Sequence, residues 1–346
     1  MKVLRWAIPN YVHCASMIEQ EKIKWGILGP GRIAEKFAKD LALVEDASLV
    51  AVASRSLDRA IAFGSRYADV QPYASYESLV QEGGIDVMYI ATPHSFHLDQ
   101  TLLCLEHGIS VLCEKPASLN RKEVQQMVDA AKANQVFFME ALWTRFIPSM
   151  LKVLEIIESG EMGDVENVEA EFSFVAPIDP LSRLYNMGLG GGSILDIGIY
   201  PAFLAYQLLG IPEKIAASGQ IYTSGADQTC TMNFSYPQKK SAALHSSILF
   251  ESNMPARITM SKGYILMQPR WHEAPGLIVI KAGYEPEHIS CPPVGKGFYH
   301  EIREVHRCLR NGQIESNIWS HQNSLELIGI LDEVRAQVGV VYKGRD

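Results

Sequence analysis

From Ile23 onward the apolar positions come in short unbroken runs, separated by stretches with helical spacing. Ile23–Leu28 predicts a strand. Arg32–Leu43 predicts a helix, because Ile33, Phe37 and Leu41 recur at i, i+4 and i+8 with Ala34 and Ala38 beside them. Ser48–Ala53 reads as the second strand and Asp58–Tyr67 as the second helix. Asp86–Ala91 is another apolar strand, followed by a helix over Phe96–His107 that stops at Gly108. Ile109–Cys113 is a strand. Asn120 is a good N-cap for a helix over Arg121–Ala133, with Glu123 at its third position, and Val136–Glu140 closes the series. Strand and helix in alternation, with continuously apolar strands, predict a parallel sheet covered on both faces.

Beyond about Arg145 the pattern changes. A helix is expected over Ser149–Glu158, ending at Gly160. After it, Val168, Ala170, Phe172 and Phe174 alternate with polar residues, and so do Cys230, Met232, Phe234 and Tyr236. A period of two means half-buried strands, one face covered. Further strands are expected at Ala242–Leu249, Ala256–Met260, Tyr264–Met267 and Leu277–Lys281, and helices at Tyr299–Arg310 and Asn323–Val338. The chain thus divides into a first domain over 23–145 and a second over 146–346. With 346 residues, two domains are also what core size favours.

Composition narrows the partners. The chain is 47% hydrophobic, 20% charged and carries a net charge of −8. Such a balance is globular, and a mildly acidic chain offers no electrostatic footprint to phosphate backbones, so nucleic acid is not expected as a partner. No apolar run is seen that reaches the roughly 20 residues needed to span a bilayer, so no membrane association is expected. The six cysteines (Cys14, Cys104, Cys113, Cys230, Cys291 and Cys308) form no C-x-x-C pair, which suggests buried thiols in a reducing cytoplasm and no metal site. Pro9, Asn10 and His13 break the short apolar stretch near the N-terminus and argue against a secretion signal. Residues 1–22 are expected to be a loosely attached extension with no catalytic part.

Candidate chemistry begins where the first strand ends. Gly29-Pro30-Gly31-Arg32-Ile33-Ala34 is a G-x-G-x-x-A turn between strand and helix. Gly29 permits the tight turn, Gly31 lets the backbone approach a pyrophosphate, and Ala34 lets helix and strand pack closely. The helix start, at Arg32 and Ile33, offers free N–H groups to phosphates. After the second strand comes Ser54-Arg55-Ser56, with no acid to bond a ribose 2′-hydroxyl. Arg55, flanked by hydroxyl donors, suits a 2′-phosphate. That favours NADP, with NAD a possible alternative.

Two further segments carry chemistry. Glu114-Lys115-Pro116 follows a buried strand, at the carboxyl edge where ligands bind in open α/β sheets. Gly190-Gly191-Gly192 leads into Ser193–Pro201, where Asp196 and Tyr200 stand four apart and would share a helix face. A phenol near an ammonium is expected to have its pKa drawn down, which suits acid/base work on an alcohol or carbonyl.

These motifs, with Ala91-Thr92-Pro93-His94-Ser95-Phe96-His97, Met139–Phe146 and Leu195–Tyr200, make the chain resemble the Gfo/Idh/MocA oxidoreductases over about residues 23–340. The resemblance implies an α/β fold with an N-terminal Rossmann doubly wound parallel sheet. It implies a C-terminal α+β domain with a large open, mostly antiparallel sheet whose outer face makes a homodimer. It implies Lys115 and Tyr200 as the catalytic pair, and Asp196 orienting substrate. It further implies Thr92, Pro93, His94 and His97 along the nicotinamide side, and Trp143, Arg145 and Arg183 on the substrate side. Many members carry His where this chain has Tyr200. The Tyr points to the branch acting on dihydrodiols and pentoses. Alternatives are a glucose–fructose-type oxidoreductase and a non-catalytic NADP-sensing regulator. The sensor has no need of the acid/base set.

Overall fold

The structure is a computed structural model that describes residues 21–346. The expected N-terminal extension, apart from Glu21 and Lys22, lies outside the described residues.

The first half comprises β1 (Ile23–Leu28), α1 (Arg32–Leu41), β2 (Ala47–Ala53), α2 (Leu57–Gly64), β3 (Gln71–Tyr73), α3 (Tyr76–Glu82), β4 (Val87–Ile90), α4 (His97–Glu106), β5 (Ser110–Glu114), α5 (Arg121–Asn134) and β6 (Phe138–Ala141). The six strands form a parallel sheet in the order β3-β2-β1-β4-β5-β6. The order reverses between β1 and β4, the switch point where such sheets open a crevice. Register then lines up the crevice edge. Leu28 pairs with Ala53 on one side and Ile90 on the other, and Ile90 pairs with Cys113. The turns that follow these strands, at Gly29, Ser54, Ala91 and Lys115, therefore emerge side by side.

Local sequence explains the elements. The buried stripe of α1 is Ala34, Phe37, Ala38 and Leu41, with Phe37 stacked on Tyr89 of β4. Asn120 caps α5 by accepting from the Glu123 amide at 2.9 Å, as expected. The helix ends at Gln135 in a left-handed conformation. The short strand β3 and helix α3, and a strand at 214–221, gave too little apolar periodicity to be foreseen; α3 does carry the Ser75 cap.

The second half comprises α6 (Pro148–Glu158), β7 (Val165–Ser173), α7 (Ile199–Leu209), β8 (Lys214–Ile221), β9 (Asp227–Ser235), β10 (Ser241–Ser247), β11 (Ala256–Met260), β12 (Gly263–Met267), β13 (Gly276–Lys281), β14 (Glu287–Ser290), α8 (Phe298–Arg310) and α9 (His321–Val338). Its eight strands run β14-β13-β12-β11-β7-β10-β9-β8, antiparallel except where β7 meets β10. On β9 the alternation holds: Cys230, Met232 and Phe234 are buried and their neighbours are not. The covered face packs on α7 and α9; among the described residues, the β9 side chains of the other face, Thr231, Asn233 and Ser235, are exposed.

One sequence-based expectation needs correction. The run Met187–Leu209 is long and apolar enough, by length and composition, to cross a membrane. It is 83% buried inside the protein, which is where the apolar residues around α7 find their cover.

Helix α9 joins the halves, packing on β8, α7, α5 and β6. Trp319 Nε1, just before it, donates to Glu140 Oε2 at 3.2 Å, and His321 Nε2 stands 3.0 Å from the Phe138 carbonyl. Beyond α9 the chain returns to the crevice. Tyr342 Oη donates to the Gly191 carbonyl at 2.8 Å, and Arg345 Nη1 to the Ser95 carbonyl at 3.0 Å. Because Leu331 of α9 is fully buried, Leu331→Ala is expected to cost about 2–5 kcal/mol. Chemical denaturation followed by far-UV circular dichroism measures this; a loss under ~1 kcal/mol would contradict the bridging role of α9.

Candidate active site

The G-x-G turn is built as its residues require. Gly29 sits at φ +84°, and a Cβ there would lie 2.7 Å from the Thr92 side chain. Gly31 differs: a Cβ there would meet no protein atom closer than 4.0 Å. Protein packing therefore leaves room over Gly31, as a pyrophosphate approaching the start of α1 requires. Gly31 is the N-cap of α1 and no side chain caps the helix, so its first N–H groups are free for an anion. Arg32 is exposed, Ile33 half-buried and Ala34 buried against the sheet. At the end of β2, Ser54 is buried, and its Oγ accepts from the Ser56 amide at 3.3 Å. Arg55 is exposed, with its guanidinium 5.1 Å from the centre of the Phe96 ring.

The loop after β4 and the loop after β5 are tied together by His97. Its Nε2 lies 2.8 Å from the Thr92 carbonyl and its Nδ1 2.9 Å from the Pro116 carbonyl. The ring is fully buried, so it braces the two loops from behind. Pro93 opens the short helical turn His94–Phe96, and Thr92 Oγ1 donates to Gln100 at 2.7 Å. His94 Nδ1 lies 3.1 Å from the Gly190 carbonyl, which links this loop to the glycine run.

The charged centre is Asp196. Its segment, Ile194–Gly198, is a π-helical turn that runs directly into α7. The simple four-residue spacing expected for Asp196 and Tyr200 is therefore replaced by a wider turn, a distortion frequent at functional sites. Arg183 grips Asp196 bidentately, Nη1 to Oδ1 at 2.6 Å and Nη2 to Oδ2 at 3.2 Å. Lys115 Nζ donates to the Asp196 backbone carbonyl at 2.6 Å and lies 3.7 Å from Oδ1. Burial alone would raise the Asp196 carboxyl, but Arg183 and Lys115 hold it well below the usual carboxylate range. His94 Nε2 lies 3.8 Å from the same oxygen, and burial pushes that imidazole down to about 3.

Lys115 also stands 5.1 Å from the centre of the Tyr200 ring, so the expected trio meets. Trp143 Nε1 donates to Tyr200 Oη at 3.0 Å. The phenol does not follow the expected pKa direction. Burial and the nearby Glu114 raise it well above its ordinary value, outweighing the Trp143 hydrogen bond. Tyr200 is thus held as a neutral phenol. Glu114, raised by burial, accepts from the Tyr89 hydroxyl and from the Lys115 amide, the latter at 3.2 Å. Trp143 stacks on Phe298. Arg145 is buried, under the influence of Glu304 on α8.

Sequence reading missed four residues that shape the site. Asp227, at the start of β9, accepts from Ser193 Oγ at 2.6 Å and the Ile194 amide at 2.8 Å. It caps the π-helical segment, and burial pushes its carboxyl up to about 6. Tyr342 holds the glycine run from the other side. Phe172 and His272 stack with each other beside Tyr200. Asp227 and Tyr342 reach the site from remote parts of the chain, and no local motif marks them.

Two family models match the chain: an oxidoreductase family with an NAD-binding Rossmann fold over residues 23–142, and a GFO/IDH/MocA C-terminal domain over residues 150–266. Trans-1,2-dihydrobenzene-1,2-diol dehydrogenase of Mus musculus is 35% identical over 334 residues, covering 92% of this chain and 98% of the relative. D-xylose 1-dehydrogenase (NADP(+)) of Hypocrea jecorina is 34% identical, covering 92% and 93%. A 3-ketoreductase from Actinomadura kijaniata, solved with NADP and TDP-benzene, shares the fold at a TM-score of 0.83 and 22% identity, over 92% of this chain and 98% of that one. The chain belongs to the Gfo/Idh/MocA family of oxidoreductases.

The depressed Asp196 sets a pH dependence. A carboxyl whose folded pKa is lowered adds stability above its ordinary value of 3.8. That stability is lost as the pH falls through the folded value. Acid unfolding of Asp196→Asn should therefore show a shallower slope below pH 4 than the parent, read by intrinsic fluorescence; an unchanged slope would mean that Asp196 is not the buried anion described.

Proposed function

We propose that this member of the Gfo/Idh/MocA family is an NADP(H)-dependent dehydrogenase or reductase. Its substrate would be a small polyhydroxylated or dicarbonyl compound: an aldopentose-like sugar, a trans-dihydrodiol or a dicarbonyl. The observation that carries this reading is the meeting of Lys115, Asp196 and Tyr200 after β5, on the same edge of the parallel sheet as the G-x-G turn after β1.

The cofactor would be held by the amides at the start of α1, by the Thr92–Pro93 loop and, at a 2′-phosphate, by Ser54 and Arg55. No acid stands at the end of β2 to favour the unphosphorylated form, although NAD remains an alternative. Bound there, the nicotinamide supplies the hydride acceptor or donor at C4. This chain's own residues handle the proton. In reduction, the neutral Tyr200 gives its hydroxyl proton to the oxygen of the carbonyl as that carbon gains the hydride, becoming a phenolate. In oxidation it takes the proton back. Lys115 lies against the Tyr200 ring and stabilises the phenolate or alkoxide as negative charge develops. Asp196, fixed by Arg183, holds Lys115 in place. Trp143 sets the Tyr200 hydroxyl through its indole N–H.

Two expectations extend this reading. Localisation in a reducing cytoplasm is supported by Cys104, Cys113, Cys230 and Cys308, which are buried free thiols. A homodimer through the open sheet is supported by that face, which carries exposed Phe250 stacked on His245 and a shallow hollow of about 490 Å³ lined by Gln220, Thr231 and His245. Light scattering after gel filtration should give twice the 38.5 kDa chain mass; a monomer at micromolar concentration would reject the dimer.

The decisive assay follows absorbance at 340 nm with NADP and NAD against pentoses, hexoses, trans-diols and dicarbonyls. Tyr200→Phe should lower kcat by about 10²–10⁴ with NADP binding retained, and Arg55→Ala should cut the preference for NADP over NAD by roughly tenfold. Tight NADP binding with no turnover on any compound would instead favour a sensor.

A further inference from the structure

One sealed carboxyl near the site has no task in the chemistry above. Asp227 opens β9 and is fully buried. Its Oδ2 takes two donors from the segment that carries Asp196: Ser193 Oγ at 2.6 Å and the Ile194 amide at 2.8 Å. Ser193 Oγ also lies 3.1 Å from Ser246 Oγ on β10, so the same bonds tie the π-helical turn to the second sheet. Oδ1 is sealed and has no hydrogen-bond partner among the described residues. It faces Gly192, where a Cβ would come within 2.2 Å of it.

This geometry suits one protonation state. Two donors converging on Oδ2 need a carboxylate. A proton on Oδ2 would compete with them, and a proton on Oδ1 would meet a wall that offers no acceptor. Protonation therefore weakens the cap. Burial pulls the other way: it raises the carboxyl, the Ser193 hydroxyl and the Ile194 amide lower it, and the balance lies at about 6. The titratable neighbours are Cys230 on β9 and Tyr342 beyond α9. Both are raised, by burial first and by Asp227 second, so both are neutral. Asp196 differs, because Arg183 and Lys115 keep it charged. The turn thus rests on two carboxylates, one locked by cations and one held by neutral donors.

We propose that Asp227 is a positioning residue for the reaction: its charged carboxylate holds the π-helical turn in the form that presents Asp196 and Tyr200, and turnover is lost when that carboxylate takes up a proton. It touches neither the reacting carbon nor its oxygen and acts through Ser193 and Ile194. This rests on the dehydrogenase reading above and adds an acid limb to it. The limb is diagnostic in the reducing direction. There Tyr200 gives a proton, and acid does not remove its active form. His94 and His272 titrate at about 3, too low to produce a limb near 6. Glu114 is also raised by burial, but a limb of its own would survive the loss of Asp227.

The test follows reduction of a 1,2-dicarbonyl by saturating NADPH from pH 5 to pH 8, in wild type, Ser193→Ala and Asp227→Asn. Wild-type kcat should be level above pH 7 and fall about tenfold by pH 5, where a carboxyl titrating at about 6 is one-tenth ionised. Ser193→Ala removes a bond that favours the charged form, so its limb should move to higher pH by roughly half a unit or more, whatever its plateau rate. Asp227→Asn keeps the shape and cannot titrate. Its kcat should be low and flat, about tenfold under the wild-type plateau. KM for NADPH within about twofold of wild type reports that each variant is folded and that the loss lies in positioning. Should the asparagine variant fail to fold, the direction of the Ser193→Ala shift decides. A limb unmoved in Ser193→Ala, or retained in Asp227→Asn, would overturn the proposal. Urea unfolding from pH 4 to pH 7 checks the carboxyl without turnover. A carboxyl raised in the folded state adds stability below its ordinary value of 3.8 that is lost as the pH rises through about 6. Wild type should therefore lose stability relative to Asp227→Asn over that range, and equal slopes would overturn the proposal. Absence of turnover on every compound defeats the dehydrogenase reading; turnover with the limb unaltered in both variants defeats the role of Asp227 alone.

Discussion

A carboxylate without water has to be surrounded by something that replaces it, and the site is organised around meeting that need for Asp196. Arg183 supplies two hydrogen bonds and Lys115 a second positive charge. Neither cation reaches Asp196 from its own helix. Arg183 comes from the loop before the glycine run, and Lys115 from the end of β5. The charge cluster thus pulls the edge of the parallel sheet against the segment that carries Tyr200. Buried ion pairs are seldom a net source of stability, since desolvation offsets the attraction. Their effect here is to fix geometry: removing any one member leaves an unbalanced charge beside the Tyr200 ring.

Backbone shape serves the same end. The π-helical turn at Ile194–Gly198 aims Asp196 and Tyr200, and it persists because Asp227 caps it and Gly192 gives way to Asp227. Gly192 sits at φ +130°, and a Cβ there would come within 2.2 Å of the Asp227 carboxylate. The three consecutive glycines are explained in part by this crowding and in part by Gly190, whose Cβ would strike Leu119 and His94. The run is a place where three parts of the chain meet at close range, and flexibility is not its purpose.

Much of this was legible in the sequence, and the exceptions have physical reasons. The parallel sheet, the G-x-G turn and the antiparallel second sheet follow from local periodicity, which is a property of neighbours. The triplet Lys115, Asp196 and Tyr200 was legible through resemblance and spacing. Arg183 was expected on the substrate side; its guanidinium is committed to Asp196, although its side chain is still 53% exposed. The phenol of Tyr200 moved opposite to expectation because burial and Glu114 raise it and outweigh the Trp143 hydrogen bond, and burial cannot be read from a motif. Asp227, His272 and Tyr342 were missed for one common reason. Each acts across more than thirty residues of separation, at Ile194, Tyr200 and Gly191 respectively.

The return of the chain to the crevice after α9 has a bearing on how the protein comes into being. During synthesis, Lys115 and Tyr200 leave the ribosome long before Tyr342 and Arg345. A nascent chain can therefore complete its parallel strands early, yet the carbonyls of Gly191 and Ser95 lack their partners until residues 342 and 345 arrive. Final shaping of the crevice is deferred until residues 342 to 345 have been made, so a chain that has reached only Tyr200 is a folding body without a finished site.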